Sequence, residues 1–223
     1  MAQKQKSMSL ASFSLFLLVR SLNLGETIAA EILQTWCVAK PSSSDSLLRD
    51  NIDFACDHVQ DECNPIKLGN SNPCYNPNTP IHHASFAMNA YYQKKERHQW
   101  NCNFENSGLI SITNPSYAGC IYKGGATLMD LSSAGKWCVA TPSANNEMLQ
   151  ESIDYACSHV DCSIIKFGGS CYDPSNLISH ASVAMNLYYQ ANGKLDSSCD
   201  FKGTGLIVTS DPSYANCKFE FRK

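Results

Sequence analysis

Between residues 48 and 59 the side chains Leu48, Ile52, Ala55, Cys56 and Val59 stand at a spacing of i, i+4, i+7, i+8, i+11. That is one stripe of an amphipathic helix, and it recurs as Leu149, Ile153, Ala156, Cys157 and Val160. Ser44/Asp45 and Asn145/Asn146 stand ahead of the two stripes as N-caps. A second helix is expected from about Thr79, with Pro80 at the first helical position, where its missing N–H costs nothing. Its apolar stripe reads Ala84, Ala87, Met88 and Tyr91, and again Ala181, Ala184, Met185 and Tyr188. After Cys102 the pattern changes to short β-rich runs, Leu109-Ile110-Ser111-Ile112 and Leu206-Ile207-Val208. Each run leads into an Asn/Asp-Pro-Ser-Tyr turn and then a short strand through the last cysteine. The expected class is therefore α+β: two small modules, each with two main helices and a small antiparallel sheet.

The cysteines make the duplication explicit. They fall at 37, 56, 63, 74, 102 and 120, then at 138, 157, 162, 171, 199 and 217. The second set is the first displaced by 101 residues, shrinking to 97 after a four-residue deletion between Cys56 and Cys74. Residues 123–136 (KGGATLMDLSSAGK) have the Gly/Ser/Ala content of a flexible tether. The expected organisation is a first module at 35–122, a linker at 123–135 and a second module at 136–219. Modules of this size bury too little surface to be stable unstapled, so disulfides are expected. Six cysteines allow 15 pairings, and spacing alone does not choose among them.

The compartment follows from the N-terminus. Lys4 and Lys6 precede the apolar run LASFSLFLLV at 10–19, and Thr27-Ile28-Ala29 offers a small-residue cleavage site. Residues 1–29 thus read as a secretory signal peptide, and the product as a secreted, extracellular protein with oxidised cysteines. The charged stretch at 218–223 carries no lipid-anchor signal, so no membrane anchor is expected. Twelve cysteines without a C-x-x-C pair argue against a zinc site; no metal and no cofactor are expected. A net charge of −3 with dispersed Lys and Arg excludes a nucleic-acid binder. Aromatic content of 10% with 17% charged residues argues against disorder. A monomer is expected.

Several motifs occur twice: W-C-V-A from Trp36 and Trp137, D-[FY]-A-C from Asp53 and Asp154, and C-Y-x-P from Cys74 and Cys171. H-A-S-x-A-M-N-x-Y-Y-Q follows from His83 and from His180, with [DN]-P-S-Y-x-x-C closing each copy. Together they resemble the plant X8 domain, also called carbohydrate-binding module family 43. The resemblance implies binding of β-1,3-glucan in the plant cell wall (apoplast), without catalysis. It also implies pairing of first with fifth, second with third and fourth with sixth cysteine. Those pairs are Cys37–Cys102, Cys56–Cys63, Cys74–Cys120, Cys138–Cys199, Cys157–Cys162 and Cys171–Cys217. The alternative is a structural or signalling wall protein whose modules bind a protein or a different polysaccharide. The first copy departs from the pattern, with Gly69-Asn70-Ser71-Asn72-Pro73 in place of Gly168-Gly169 and Asn103 in place of Asp200. The second module is therefore expected to bind more tightly.

Glycoside hydrolysis needs two carboxyl groups at a fixed separation, and the aspartate that recurs next to the helical stripe, Asp53/Asp154, supplies one per copy. A non-enzyme is expected. Sugar recognition instead needs an aromatic platform flanked by amides or hydroxyls. On the second helix Ser85, Asn89 and Tyr92 share a flank at i, i+4, i+7, repeated as Ser182, Asn186 and Tyr189. With Gln93/Gln190, Tyr75/Tyr172 and Phe104/Phe201 they form the sugar-binding set expected from sequence, while Tyr91 and Tyr188 are assigned to core or half-buried packing.

Overall fold

The computed structural model describes residues 31–69, 72–129 and 134–221. The signal-peptide expectation falls on residues 1–29, outside the described residues. The first copy runs β1 (Glu31–Ala39), α1 (Asp45–Val59), a 3₁₀ helix (Gln60–Ile66), α2 (Pro80–Lys94) and β2 (Gly108–Ser111). After β3 (Gly125–Met129) the second copy runs β4 (Trp137–Ala140), α3 (Asn146–Cys157), α4 (Leu177–Ala191) and β5 (Gly205–Val208). The helix starts follow the sequence signals. Ser44 and Asn145 accept hydrogen bonds from Leu47 N–H and Met148 N–H. Thr79 caps α2 with Pro80 in its first turn. The expected strand through the last cysteine is absent. Only isolated bridges form there, Tyr117 with Cys120 and Tyr214 with Cys217, because the chain turns too tightly to extend a ladder.

All twelve cysteines are bridged, in the pairs Cys37–Cys102, Cys56–Cys63, Cys74–Cys120, Cys138–Cys199, Cys157–Cys162 and Cys171–Cys217. By loop-closure entropy the Cys37–Cys102 bridge contributes about 4 kcal/mol and the short Cys56–Cys63 bridge about 2.5 kcal/mol. The long bridges also shape the sheet. A Cβ at Gly108 would lie 1.8 Å from the Cys102 carbonyl oxygen, and one at Gly205 would lie 1.6 Å from that of Cys199. Each of these strands therefore starts with a residue that has no side chain.

Two features depart from a pair of tethered modules. Five residues of the stretch read as a linker form a strand: Gly125–Met129 pairs antiparallel with the start of β1, from Thr35↔Gly125 to Glu31↔Met129. Glycine and serine content misled here because the backbone of residues 31–35 offers a free edge, and Met129 is buried in the first core. Second, the copies share one five-stranded sheet in the order β3-β1-β2-β5-β4. At the seam Ile112 N–H donates to the Ile207 carbonyl at 3.0 Å and Thr209 N–H donates to the Ile110 carbonyl at 2.9 Å. Ile110 N–H donates to Ser210 Oγ and Ile207 N–H to Thr113 Oγ1, both at 3.1 Å, which completes a pseudo-two-fold pattern. Val38 and Leu109 of the first copy pack in one cluster with Val139, Leu206 and Val208 of the second. The modules thus share an apolar face as well as a hydrogen-bonded edge.

Candidate functional site

The polar flank of the second helix points inward. Along β1, Ala39 N–H donates to Ser85 Oγ at 2.9 Å and Cys37 N–H donates to Asn89 Oδ1 at 3.1 Å. Gln93 Nε2 donates to the Thr35 carbonyl at 2.8 Å. The second copy repeats this: Ala140 N–H to Ser182, Cys138 N–H to Asn186, and Gln190 to the Lys136 carbonyl. Geometry accounts for the spacing. Four helical residues rise about 6.0 Å and two strand residues about 6.7 Å, so side chains at i, i+4, i+8 meet alternate strand residues. The helix therefore satisfies an edge that β3 leaves unpaired, as backbone accounting requires. Tyr92 and Tyr189 are 1% and 0% exposed. Ser85, Asn89, Ser182, Asn186 and Gln190 are likewise buried and Gln93 is half-buried.

This corrects the sugar-facing role expected for Ser85, Asn89, Tyr92, Gln93, Ser182, Asn186, Tyr189 and Gln190. Seven of these side chains are enclosed between a helix and a strand with no surface to offer a polymer, and the half-buried Gln93 commits its amide nitrogen to the Thr35 carbonyl and Asn89 Oδ1. Tyr75 and Tyr172 are half-buried elsewhere, with their rings 5.6 Å and 5.8 Å from those of His83 and His180. They are not gathered with the other candidates.

The tyrosines one residue earlier are half-buried, each packed against a core cluster and partly open to the surface. Tyr91 lies in a four-ring cluster, 5.3 Å from Phe54, 5.5 Å from Phe104 and 5.6 Å from His58. In the second copy Tyr188 lies 5.3 Å from Tyr155, 5.6 Å from Phe201 and 5.6 Å from His159. Phe54 and Tyr155 are 47% and 50% exposed. Phe104 and Phe201, which the sequence also singled out, complete the cluster from a loop in the left-handed region, with φ of 43° and 42°. Such a conformation costs a phenylalanine about 1 kcal/mol or more and persists only where neighbours hold it. Here Asn51 Nδ2 donates to Ser107 Oγ at 2.7 Å in the first copy, and the Ser152 and Thr204 hydroxyls meet at 3.1 Å in the second.

In the second module the rings border a groove of about 310 Å³, whose polar lining includes Glu151, Ser198, Asp200 and Lys202. Lys202 pairs with Glu151 at 3.1 Å on the exposed rim. The Tyr155 and Tyr188 hydroxyls meet at 3.1 Å, and that hydrogen bond holds the Tyr188 phenol above its ordinary pKa. The surface thus combines apolar ring faces with neutral and ionised oxygen and nitrogen groups. Among the described residues no group of three His, Cys, Asp or Glu is placed to hold a metal ion, and no helix is long and apolar enough to cross a membrane.

The X8 domain profile matches residues 35–109 and 136–206. The chain belongs to the X8 family. It is 57% identical over 88 residues to a glucan endo-1,3-beta-glucosidase of Triticum aestivum, covering 40% of this chain and 19% of that protein. It is 46% identical over 90 residues to glucan endo-1,3-beta-glucosidase 7 of Arabidopsis thaliana, covering 40% of this chain and 18% of that one. The major pollen allergen Ole e 10 of Olea europaea is 48% identical over 86 residues, which is 38% of this chain and 70% of the allergen. The chain thus spans about a fifth of the length of these glucosidases, and the likeness is confined to the X8 region.

Phe54 and Tyr155 join these aromatic clusters although sequence reasoning did not select them, while Tyr91 and Tyr188, read as core or half-buried packing, are half-buried against the core. A signal was present for the first pair. The aromatic of D-[FY]-A-C falls off the apolar stripe of its helix in both copies, so an exposed ring occurs twice at one position.

Proposed function

We propose that each X8 module binds a segment of β-1,3-glucan in its aromatic groove, without cleaving it, in the extracellular cell wall. The binding units are residues 35–122 and 136–219. The observation that carries this reading is the duplicated outward cluster of Phe54, His58, Tyr91 and Phe104, and of Tyr155, His159, Tyr188 and Phe201. Half-exposed rings flanked by amides, hydroxyls and carboxylates match a pyranose, whose C–H faces stack and whose hydroxyls hydrogen-bond. Names of glucan endo-1,3-beta-glucosidases among the relatives supply the polymer. The second module pairs a hydroxyl with a carboxylate, Tyr155 with Asp200, where the first has Phe54 and Asn103. Its groove offers more hydrogen bonds and is the tighter of the two.

The test is retention of the oxidised protein on insoluble β-1,3-glucan, cellulose and xylan in parallel. Selective retention on β-1,3-glucan, lost in a Tyr91→Ala/Tyr188→Ala double variant with native circular dichroism, supports the reading. Equal retention on all three polymers, or on none, overturns it.

A further inference from the structure

The seam between the modules encloses a cleft of about 440 Å³ that needs both copies. The first module lines it with Gln99, Trp100 and Asn103, the second with Thr209, Ser210 and Asp211. Trp100 is 71% exposed, while the other two indoles, Trp36 and Trp137, are buried. One face of Trp100 is stacked on the His98 ring, with centroids 4.4 Å apart and planes 11° from parallel. The indole is thus a braced platform rather than a loose side chain.

Both walls are fixed across the seam. Lys40 is buried, and its Nζ donates to Asn106 Oδ1 at 3.1 Å and to the Ser213 carbonyl of the other module at 3.4 Å. Asp211 Oδ1 accepts from Ser213 N–H at 2.8 Å, and Ser210 Oγ accepts from Ile110 N–H.

The cleft also uses two repeat positions that line the groove of the second module. Trp100 and Asn103 occupy the positions of Ser197 and Asp200, which line the groove of the second module. In the first module those two positions line the junction instead, with Asn103 next to Phe104 in the chain. The equivalent place across the pseudo-two-fold has serine where the first module has Trp100, so the platform occurs once. The volume lies in the roughly 300–1,000 Å³ range of small-ligand sites, and an indole beside amides, hydroxyls and one carboxylate suits a neutral sugar.

We infer that the junction cleft is a further β-1,3-glucan subsite, in which Trp100 stacks on a glucose ring and extends the groove of the first module onto the second. This rests on the reading that the modules bind β-1,3-glucan, and it makes the tandem one longer site across a rigid seam.

The experiment uses the full oxidised protein and a soluble β-1,3-linked glucose hexamer. Because only Trp100 is exposed, iodide quenching of tryptophan emission reports that residue, and the hexamer is expected to protect it. Affinity is then measured by titration calorimetry in a Tyr188→Ala background, which silences the groove of the second module. There Trp100→Ala is expected to weaken binding roughly tenfold. Asp211→Asn, which keeps the Oδ1 acceptor for Ser213, is expected to weaken it less than additively with Trp100→Ala. If the hexamer binds but leaves quenching and the Trp100→Ala affinity unchanged, the junction subsite is overturned and the grooves stand. Should the wild-type protein fail to bind any β-1,3-glucan, both readings fall together.

Discussion

Two equivalent tyrosines should respond to the same substitution with opposite sign. Tyr92 and Tyr189 occupy one position of the repeat and both are fully buried. The Tyr92 hydroxyl meets Thr35 Oγ1 at 3.0 Å, whereas the Tyr189 hydroxyl is buried with no hydrogen-bond partner among the described residues. The difference has a sequence origin, since Lys136 stands where the first module has Thr35. Burial raises both phenols, and Tyr189 reaches about 12. Tyr92→Phe removes a satisfied hydrogen bond and should cost about 0.5–1.5 kcal/mol, the loss being limited because Thr35 keeps Thr127 Oγ1 at 3.1 Å. Tyr189→Phe removes an unpaired buried hydroxyl, whose desolvation costs about 1–3 kcal/mol. The oxygen-sized void it leaves takes back a few tenths of a kcal/mol. Urea unfolding of the disulfide-intact protein, followed by circular dichroism, gives both values by linear extrapolation. The expected order of stability is Tyr189→Phe above wild type above Tyr92→Phe, with the extremes about 2 kcal/mol apart. A loss of equal size in both variants would show that the Tyr189 hydroxyl is paired and would refute the reasoning.

Asn89→Ala and Asn186→Ala should each cost about 2–4 kcal/mol, because Cys37 or Cys138 N–H and the carbonyl of Lys123 or Glu220 lose their partner; urea midpoints check this, and a loss of sugar binding with unchanged stability would contradict it. Acid should destabilise the first module selectively. Burial, then the neighbouring His83, lowers His82 from 6.5 to about 4, so between those values the unfolded chain binds the proton more readily and stability falls as pH drops, by up to about 3 kcal/mol. His82→Ser, which installs the residue found at Ser179, should flatten that pH dependence in denaturant titrations. At the seam, Thr113→Val with Ser210→Ala removes the acceptors for Ile207 and Ile110 N–H; calorimetry should then resolve two melting transitions where the wild type shows one.

Much of the fold was legible because its signals are local and stated twice. Both helix stripes, the caps at Ser44, Asn145 and Thr79, and the β runs after Cys102 and Cys199 lie where the periodicities put them. What was not legible depends on partners distant in the chain. Residues 125–129 read as a tether because nothing local shows that residues 31–35 present a matching edge. The seam was hidden for the same reason: Ser111 pairs with Val208 across 97 residues, and neither strand carries a mark distinguishing a free edge from a paired one.

The inversion on the second helix has a different cause. Periodicity assigns polar side chains to water, and on a helix packed against another helix alone that holds. Here α2 also lies against β1, whose outer edge carries backbone groups that must be satisfied. Ser85, Asn89 and Gln93 are polar because their partners are backbone, and they are buried for the same reason. Once that face is committed to the strand, Tyr92 is carried inward with it, and Tyr91, one residue and about 100° away, is turned to the outer surface. There it meets Phe54 and Phe104. The aromatic surface proposed to receive the glucan is thus a geometric consequence of how the helix replaces a missing strand. A substitution that rotated α2 to bury Tyr91 would unpair β1 in the same movement, so recognition and stability are coupled through the register of one helix.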